Sequence, residues 1–316
     1  MSDGPKHGNK EQKIPPILKP WICVYRSTSK FNIPGTSVDI AFSLHCAAAF
    51  SILRVFFRQL LYWLGWTVGA PDTLFTAACL VSICHSSLLL PGLGAVLLSQ
   101  KFVPSGQLLT SPVWYQDATH SLLGFCTGYM MYDSVMGYIL ETWQPGVGPV
   151  LSGDDWLFLG HHILTTLYMV SARWQKAGHM SAMILMFNGE FSAPIMNMHF
   201  ILEKALQQDC CKGIAWLPAV FAINEQLFSV VYLVCRVVVS PFVISYVTYD
   251  LLFTKNGRRD VPLWLSISWM PMCWVSCNTS YESSIGFSFS PTPTISDIPR
   301  YYPHFSTYGS RFREVS

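Results

Sequence analysis

Charge is what this sequence has least of. Asp, Glu, Lys and Arg make up 12% of its 316 residues, about half the share of a soluble domain. Hydrophobic residues make up 51%, and mean hydropathy is +0.34. So few charges cannot clothe a water-facing surface, and one core cannot hide so much apolar side chain. The excess faces lipid, and a soluble globular domain is excluded. No internal repeat, heptad array or collagen-like period is present, which excludes solenoids and coiled coils. No C-x-x-C occurs, and the ten cysteines form neither a metal nor a disulfide framework. Cys46, Cys79, Cys84, Cys126 and Cys235 lie in apolar runs, where a thiol acts as a small hydrophobe. Cys210 and Cys211 are adjacent and badly placed to bridge. The first stretch has no apolar segment of the signal-peptide kind, so the first spanning helix is expected to serve as an uncleaved signal. The formal net charge of +2 is near balance, so no nucleic-acid partner is expected.

What is there is a series of apolar runs, which predicts an all-α, multi-pass transmembrane bundle of about six or seven helices. Residues 1–37 read as a disordered polar arm. Residues 38–70 hold a run from Ile40 to Leu53, interrupted by Arg54 and Arg58. It either spans with its arginines snorkelling or lies in the interface. The remaining helices are expected near residues 74–98, 119–140, 156–173, 179–202, 214–247 and 262–277, with a core domain over 79–277. The polar, Ser/Pro-rich tail of 278–316 is expected to be disordered. Pro91 should kink its helix, and Gly92 and Gly94 should admit a neighbour. The run over 214–247 is too long for one straight span and should bend near Pro218 or Pro241. Asp154 and Asp155 sit where carboxylates favour a helix start. No β-sheet is expected within 79–270.

The most informative segment is LFLGHHILTT, with His161 and His162. A titratable group in a spanning helix is costly and faces the bundle interior or a wet cavity. Imidazole titrates near neutral pH, so such a pair can act as acid, base or nucleophile, or simply hydrogen-bond for packing. A metal site is not read here, because ligands on one helix sit three or four residues apart and these are adjacent. Asp133, Glu190 and Arg236 also lie inside apolar runs, as do Asn188, Asn197, Asn224 and Glu225, while Asp117 and His120 lie near the start of one. Together they suggest a polar cavity enclosed by the helices. No cofactor is expected.

These segments resemble the TLC-domain family, the membrane fold of ceramide synthases and several smaller lipid-related proteins. The resemblance runs from about Cys79 to Trp269. ICHSSLLL, with His85, looks like the family's first core helix, and GYMMYD, ending at Asp133, like its tyrosine–aspartate signature. DDWLFLGHHILTT is similar to its most characteristic segment. NGEFSAPIMN resembles the E-x-S-T-P-x-x-N segment of the smaller members, and INEQLFSVVYLVCRVVVSP the late helix with Asn, Phe, Arg and Pro. PLWLSISW is similar to the last helix of plant-type members. Ceramide synthases carry a His-Asp pair on the helix after the paired histidines. Here that stretch is Phe187–Asn188–Gly189–Glu190, and the pair is missing. The family's last helix runs uninterrupted, whereas here the apolar run stops at Met270–Pro271, so an alternative or mispredicted C-terminal exon is expected.

The resemblance implies a protein of lipid homeostasis in the endoplasmic reticulum or another endomembrane. Its partner would be a membrane lipid, whether an acyl chain, a sphingoid base or a ceramide, bound in the bundle. His85, Asn188, Glu190, Asn197, Asn224 and Arg236 would line that cavity. The alternative is a ceramide-synthase-like N-acyltransferase that takes acyl-CoA and a long-chain base. His161 and His162 would then be catalytic, with Asp133 orienting an imidazole. A transporter or channel ranks last, because neither an inverted repeat nor a pore-lining charge ring is present.

Lys and Arg group before the first run, at Lys101, at Arg173 and Lys176, and at Lys255, Arg258 and Arg259, which predicts a cytosolic N-terminus. A glycosylation sequon inserted in the linker over 141–152 should therefore add one glycan in cells, and one inserted in the N-terminal arm should add none. The reverse pattern would invert the orientation.

Overall fold

In hydrocarbon every backbone N–H and C=O must be satisfied within its own segment, so each apolar run becomes a helix. The computed structural model describes residues 13–271. A 3-10 turn (Pro16–Leu18) leads into α1 (Lys19–Ser27), followed by α2 (Ala41–Trp63) and α3 (Pro71–Ser99). Then α4 (Val113–Asp133) widens into a π turn (Ser134–Leu140) and α5 (Gly153–Gln175) follows. Next come α6 (His179–Phe191) and α7 (Ala193–Gln207). After them α8 (Leu217–Tyr232), a second π turn (Leu233–Val239) and α9 (Ser240–Phe253) form one continuous rod. A short α10 (Lys255–Asp260) precedes α11, helical over 263–271. Among the described residues three helices, Ala41–Trp63, Pro71–Ser99 and Leu217–Phe253, are long and apolar enough to cross a membrane by length and composition alone.

The chain runs back and forth between two ends. At one end Leu108 N donates to Lys176 O at 2.6 Å, Ser105 N donates to Asp250 Oδ2 at 2.8 Å, and Arg173 donates to Asp39 O. Lys30, Lys101, Lys176, Lys255, Arg258 and Arg259 also belong to this end. Asp39 is buried beside them just before α2. Burial alone would raise its carboxyl, but the N–H groups of Phe31 and Ala41, each at 3.0 Å, and the Lys30 ammonium outweigh it and hold the group below the usual carboxylate value. The other end carries the Arg54–Glu141 ion pair and Lys204–Asp72 at 3.2 Å.

Glycine sets the closest helix crossing. A Cβ on Gly128 would lie 2.5 Å from Ser43 O and 2.7 Å from Cys46 Cβ, and one on Gly124 3.0 Å from Phe42. This small-xxx-small pair on α4 seats α2, in the manner of membrane helix dimers. Gly92 admits a neighbour as expected, since its Cβ would meet Leu122 at 2.6 Å and Trp21 at 3.2 Å.

Several expectations are corrected. The arm read as disordered up to Ser37 is helical in part, because α1 is amphipathic and buries Ile22 and Tyr25, with Trp21 edge-on to Phe125 at 4.9 Å. Arg26 donates to Asp117 at 2.8 Å. Residues 1–12 and 272–316 lie outside the described residues, as do the tail and the end of the last expected helix. Arg54 does not snorkel. It is 4% exposed and turns inward to Tyr132 Oη at 3.1 Å, Leu74 O and Glu141. The single run over 179–202 is two helices broken at Ser192, where Pro194 opens α7. Pro218 lies in the first turn of its helix and causes no bend there. The adjustment is made before Pro241, where the π turn accommodates a residue without an N–H. Trp143–Gln144 pairs antiparallel with Gly148–Pro149, a minimal ribbon where no sheet was expected, with Gly146 at φ +80° between the strands. Ser152 and Asp155 form a capping box at the start of α5.

Gly128→Ala should destabilise the protein by about 1–3 kcal/mol, because backbone and Cβ atoms of α2 occupy the space. Gly160→Ala meets open space and should change stability by less than about 1 kcal/mol, in the stabilising direction. Unfolding of both variants in one detergent checks the contrast.

Candidate functional site

Halfway along α3, His85 has no solvent exposure. Phe125 and Tyr129 lie four residues apart on α4 and so share a face. The His85 ring stacks on Tyr129 with centroids 3.9 Å apart and on Phe125 at 5.3 Å, with Phe50 of α2 edge-on at 5.8 Å. Its Nδ1 lies 3.6 Å from Glu190 Oε2, inside ion-pair range and outside hydrogen-bond range. The same carboxylate oxygen accepts from Ser86 Oγ at 2.6 Å. Neither ring nitrogen of His85 has a hydrogen-bond partner.

A second histidine–carboxylate pair lies alongside. His162 of α5 places Nδ1 3.6 Å from Asp133 Oδ2, with the Tyr138 ring edge-on at 5.6 Å. Asp133 is the last residue of α4 before the π turn. A Cβ on Gly137 would come within 3.3 Å of its carboxylate, so Gly137 leaves room for it. His161 follows the helix turn away from His162, with ring centroids 5.8 Å apart. Arg236 and Glu190 are within electrostatic reach of His161, and His85 and Glu190 within reach of both Asp133 and His162. Arg236 projects from the second π turn and donates to Gly189 O at 2.8 Å and Ser192 Oγ at 3.4 Å. A guanidinium there answers the free carbonyls at the end of α6. A Cβ at Gly189 would sit 3.9 Å from both terminal nitrogens, in ordinary van der Waals contact with the guanidinium.

The TLC domain family model matches residues 76–280, well over half of the chain. The chain belongs to the TLC-domain family. It is an integral membrane protein with the all-α bundle expected of that family. No curated protein matches the chain.

Within the TLC domain, the structure divides the residues singled out from sequence into two groups. His85, Asp133, His161, His162, Glu190 and Arg236 come together in one polar layer across α3, α4, α5, α6 and the second π turn. The three asparagines are helix ties instead. Asn188 donates to Ser240 Oγ, Asn197 to Ser82 Oγ at 3.0 Å, and Asn224 to Ile195 O at 3.3 Å. Two pockets lie elsewhere. One is an apolar groove along Ser51, Ile52, Val55, Phe56 and Met136, and the other lies at the basic end near His179. Neither is lined by a residue of the layer. Sequence reasoning missed Ser86 and the Arg54–Tyr132–Glu141 cluster beside Asp133. The signal for Arg54 was an arginine in mid-run. It sits on α2, outside the TLC match, and nothing local identified its partners.

Ser86→Ala should cost about 1–2 kcal/mol, because it removes a hydrogen bond to a buried carboxylate whose other partner is only in ion-pair range. Chemical unfolding of purified protein in detergent measures it, and a change within error would mean that Glu190 finds its partner elsewhere.

Proposed function

We propose that this TLC-domain protein holds a membrane lipid against the polar layer, and so acts in lipid homeostasis in the endoplasmic reticulum or another endomembrane. The ligand class is a sphingoid base, a ceramide or a related acyl lipid. One observation carries the reading. Both ring nitrogens of His85, with Nδ1 of His161 and Nδ1 of His162, are buried without a hydrogen-bond partner. Unspent hydrogen-bonding capacity in a low-dielectric interior is costly. A headgroup with hydroxyl and amine or amide groups supplies what is missing, its N–H groups facing Asp133 and Glu190 and its hydroxyls facing the imidazoles. The groove along Ile52, Val55, Phe56 and Met136 begins three residues past Asp133 and suits an acyl chain. The absent His-Asp pair also favours binding over turnover.

A second reading has an observation of its own. His162 and Asp133 at 3.6 Å have the makings of an imidazole–carboxylate unit for acyl transfer. In that reading the amine of a long-chain base attacks the thioester carbonyl of an acyl-CoA. The C–N bond forms, the C–S bond breaks, and the imidazole carries the amine proton to the departing thiolate.

His162→Gln separates the two, scored for co-purifying lipid and for acyl transfer with a panel of long-chain bases and acyl-CoA. Lipid binding predicts no turnover by the wild type, and a retention loss of about fivefold in the variant, the worth of one hydrogen bond of about 1 kcal/mol. Wild-type turnover that falls 100- to 10,000-fold in a folded variant would establish the transferase instead. Wild-type protein that carries no lipid and turns nothing over would remove both readings.

A further inference from the structure

A second polar site lies at the basic end of the bundle, about 22 Å along α3 from His85 at 1.5 Å per residue. Gln100, Lys101, Gln107, Thr110, Ser111 and His179 line a pocket of about 180 Å³ there. His179 is the first residue of α6 and is only 2% exposed, yet neither of its ring nitrogens has a hydrogen-bond partner. Tyr115 holds the ring edge-on at 5.8 Å. The α6 N-terminus beside it has no side-chain cap, because Gly178 occupies the cap position at φ +71°. Its first-turn N–H groups therefore carry the positive end of the helix dipole without a capping side chain.

The remaining groups at the pocket are mostly donors. Ser111 Oγ donates to Gln100 Oε1 at 3.1 Å, which turns the Gln100 amide toward presenting its NH₂. Thr110 Oγ1 is spent on Gln107 O at 2.8 Å. The nearby carboxylates are already engaged. Asp260 is paired with Arg259 at 2.7 Å and takes the Gln107 amide at 3.3 Å, while Asp250 accepts from Ser105 N. Lys101 adds a cation at the rim. An ammonium, an imidazole, an amide and a helix N-terminus together offer more donors than the two oxygens of a carboxylate can use. They match the three terminal oxygens of a phosphate.

We propose that this pocket binds a phosphomonoester group, either the headgroup of an anionic lipid at this face or free phosphate from solution. The clustered Lys and Arg of the same end favour the anionic leaflet surface. The site is independent of the histidine–carboxylate layer and of the function proposed for it.

The test uses the full chain purified in detergent, with native mass spectrometry of added phosphatidic acid against phosphatidylcholine, and with inorganic phosphate as a competitor. The wild type should retain phosphatidic acid in preference. Lys101→Gln should weaken that retention about tenfold, equivalent to about 1.4 kcal/mol. His179→Phe keeps the contact with Tyr115 and should weaken it further, while Lys212→Gln, at an exposed lysine paired with Asp209, should leave it unchanged. Displacement only at high phosphate identifies the lipid as the source. Binding of phosphate without phosphatidic acid identifies the soluble anion. Wild-type protein that binds neither, or retention equal in Lys101→Gln and wild type, overturns the proposal. Lys101 lies at the exposed rim, so that variant decides the question even if His179→Phe fails to fold.

Discussion

A carboxylate cannot stand alone in the middle of a bilayer, and the position of Glu190 follows from that constraint. Its partners are Ser86 and His85 on α3, and Arg236 is held one residue away at Gly189 O. Holding those partners in place requires α3, α6 and the second π turn to meet at one level. It also requires α4 to bring Tyr129 flat against His85. The fold around the site is in this sense the solution to a pairing problem. Asp133 and His162 repeat the arrangement one helix over, with α5 in the part that α3 plays for Glu190.

Both π turns serve this arrangement. A π turn admits an extra residue and swings the following side chains out of helical register. Asp133 stands at the entrance of the first and Arg236 inside the second. The break at Ser192 works to the same end, because it frees the Gly189 carbonyl that Arg236 takes. Backbone departures from the regular α-helix therefore coincide with the charged groups of the layer. Elsewhere the helices are joined by single hydrogen bonds from Asn188, Asn197 and Asn224 and by glycine-lined crossings.

The two ends of the bundle differ in chemistry. One gathers most of the lysines and arginines of the described loops, buries Asp39 and Arg173 with the Arg173 guanidinium donating to the Asp39 carbonyl, and opens the pocket at His179. The other carries the Arg54–Glu141 pair, the small Trp143–Pro149 ribbon and the Lys204–Asp72 bridge. This asymmetry is the pattern that orients a membrane protein.

By itself, the sequence determined that the chain is a bundle of membrane helices, where most of them run, which end is basic, and that Asp133, His161, His162, Glu190 and Arg236 lie within apolar runs. Each of these follows from local composition: apolar length, the cost of charge in lipid, and Lys/Arg in the loops. It did not determine the rotation of each helix about its axis, and so could not say that His85 faces Glu190, that Arg54 turns inward to Glu141, or that Gly124 and Gly128 receive α2. In a soluble helix the inward face is marked by a hydrophobic stripe. In a membrane helix such as α3 the side against lipid and the side against protein are both apolar, so no period marks which way it faces. That choice is made by close packing at small residues and by pairing between groups far apart in the chain, and only the tertiary structure contains it.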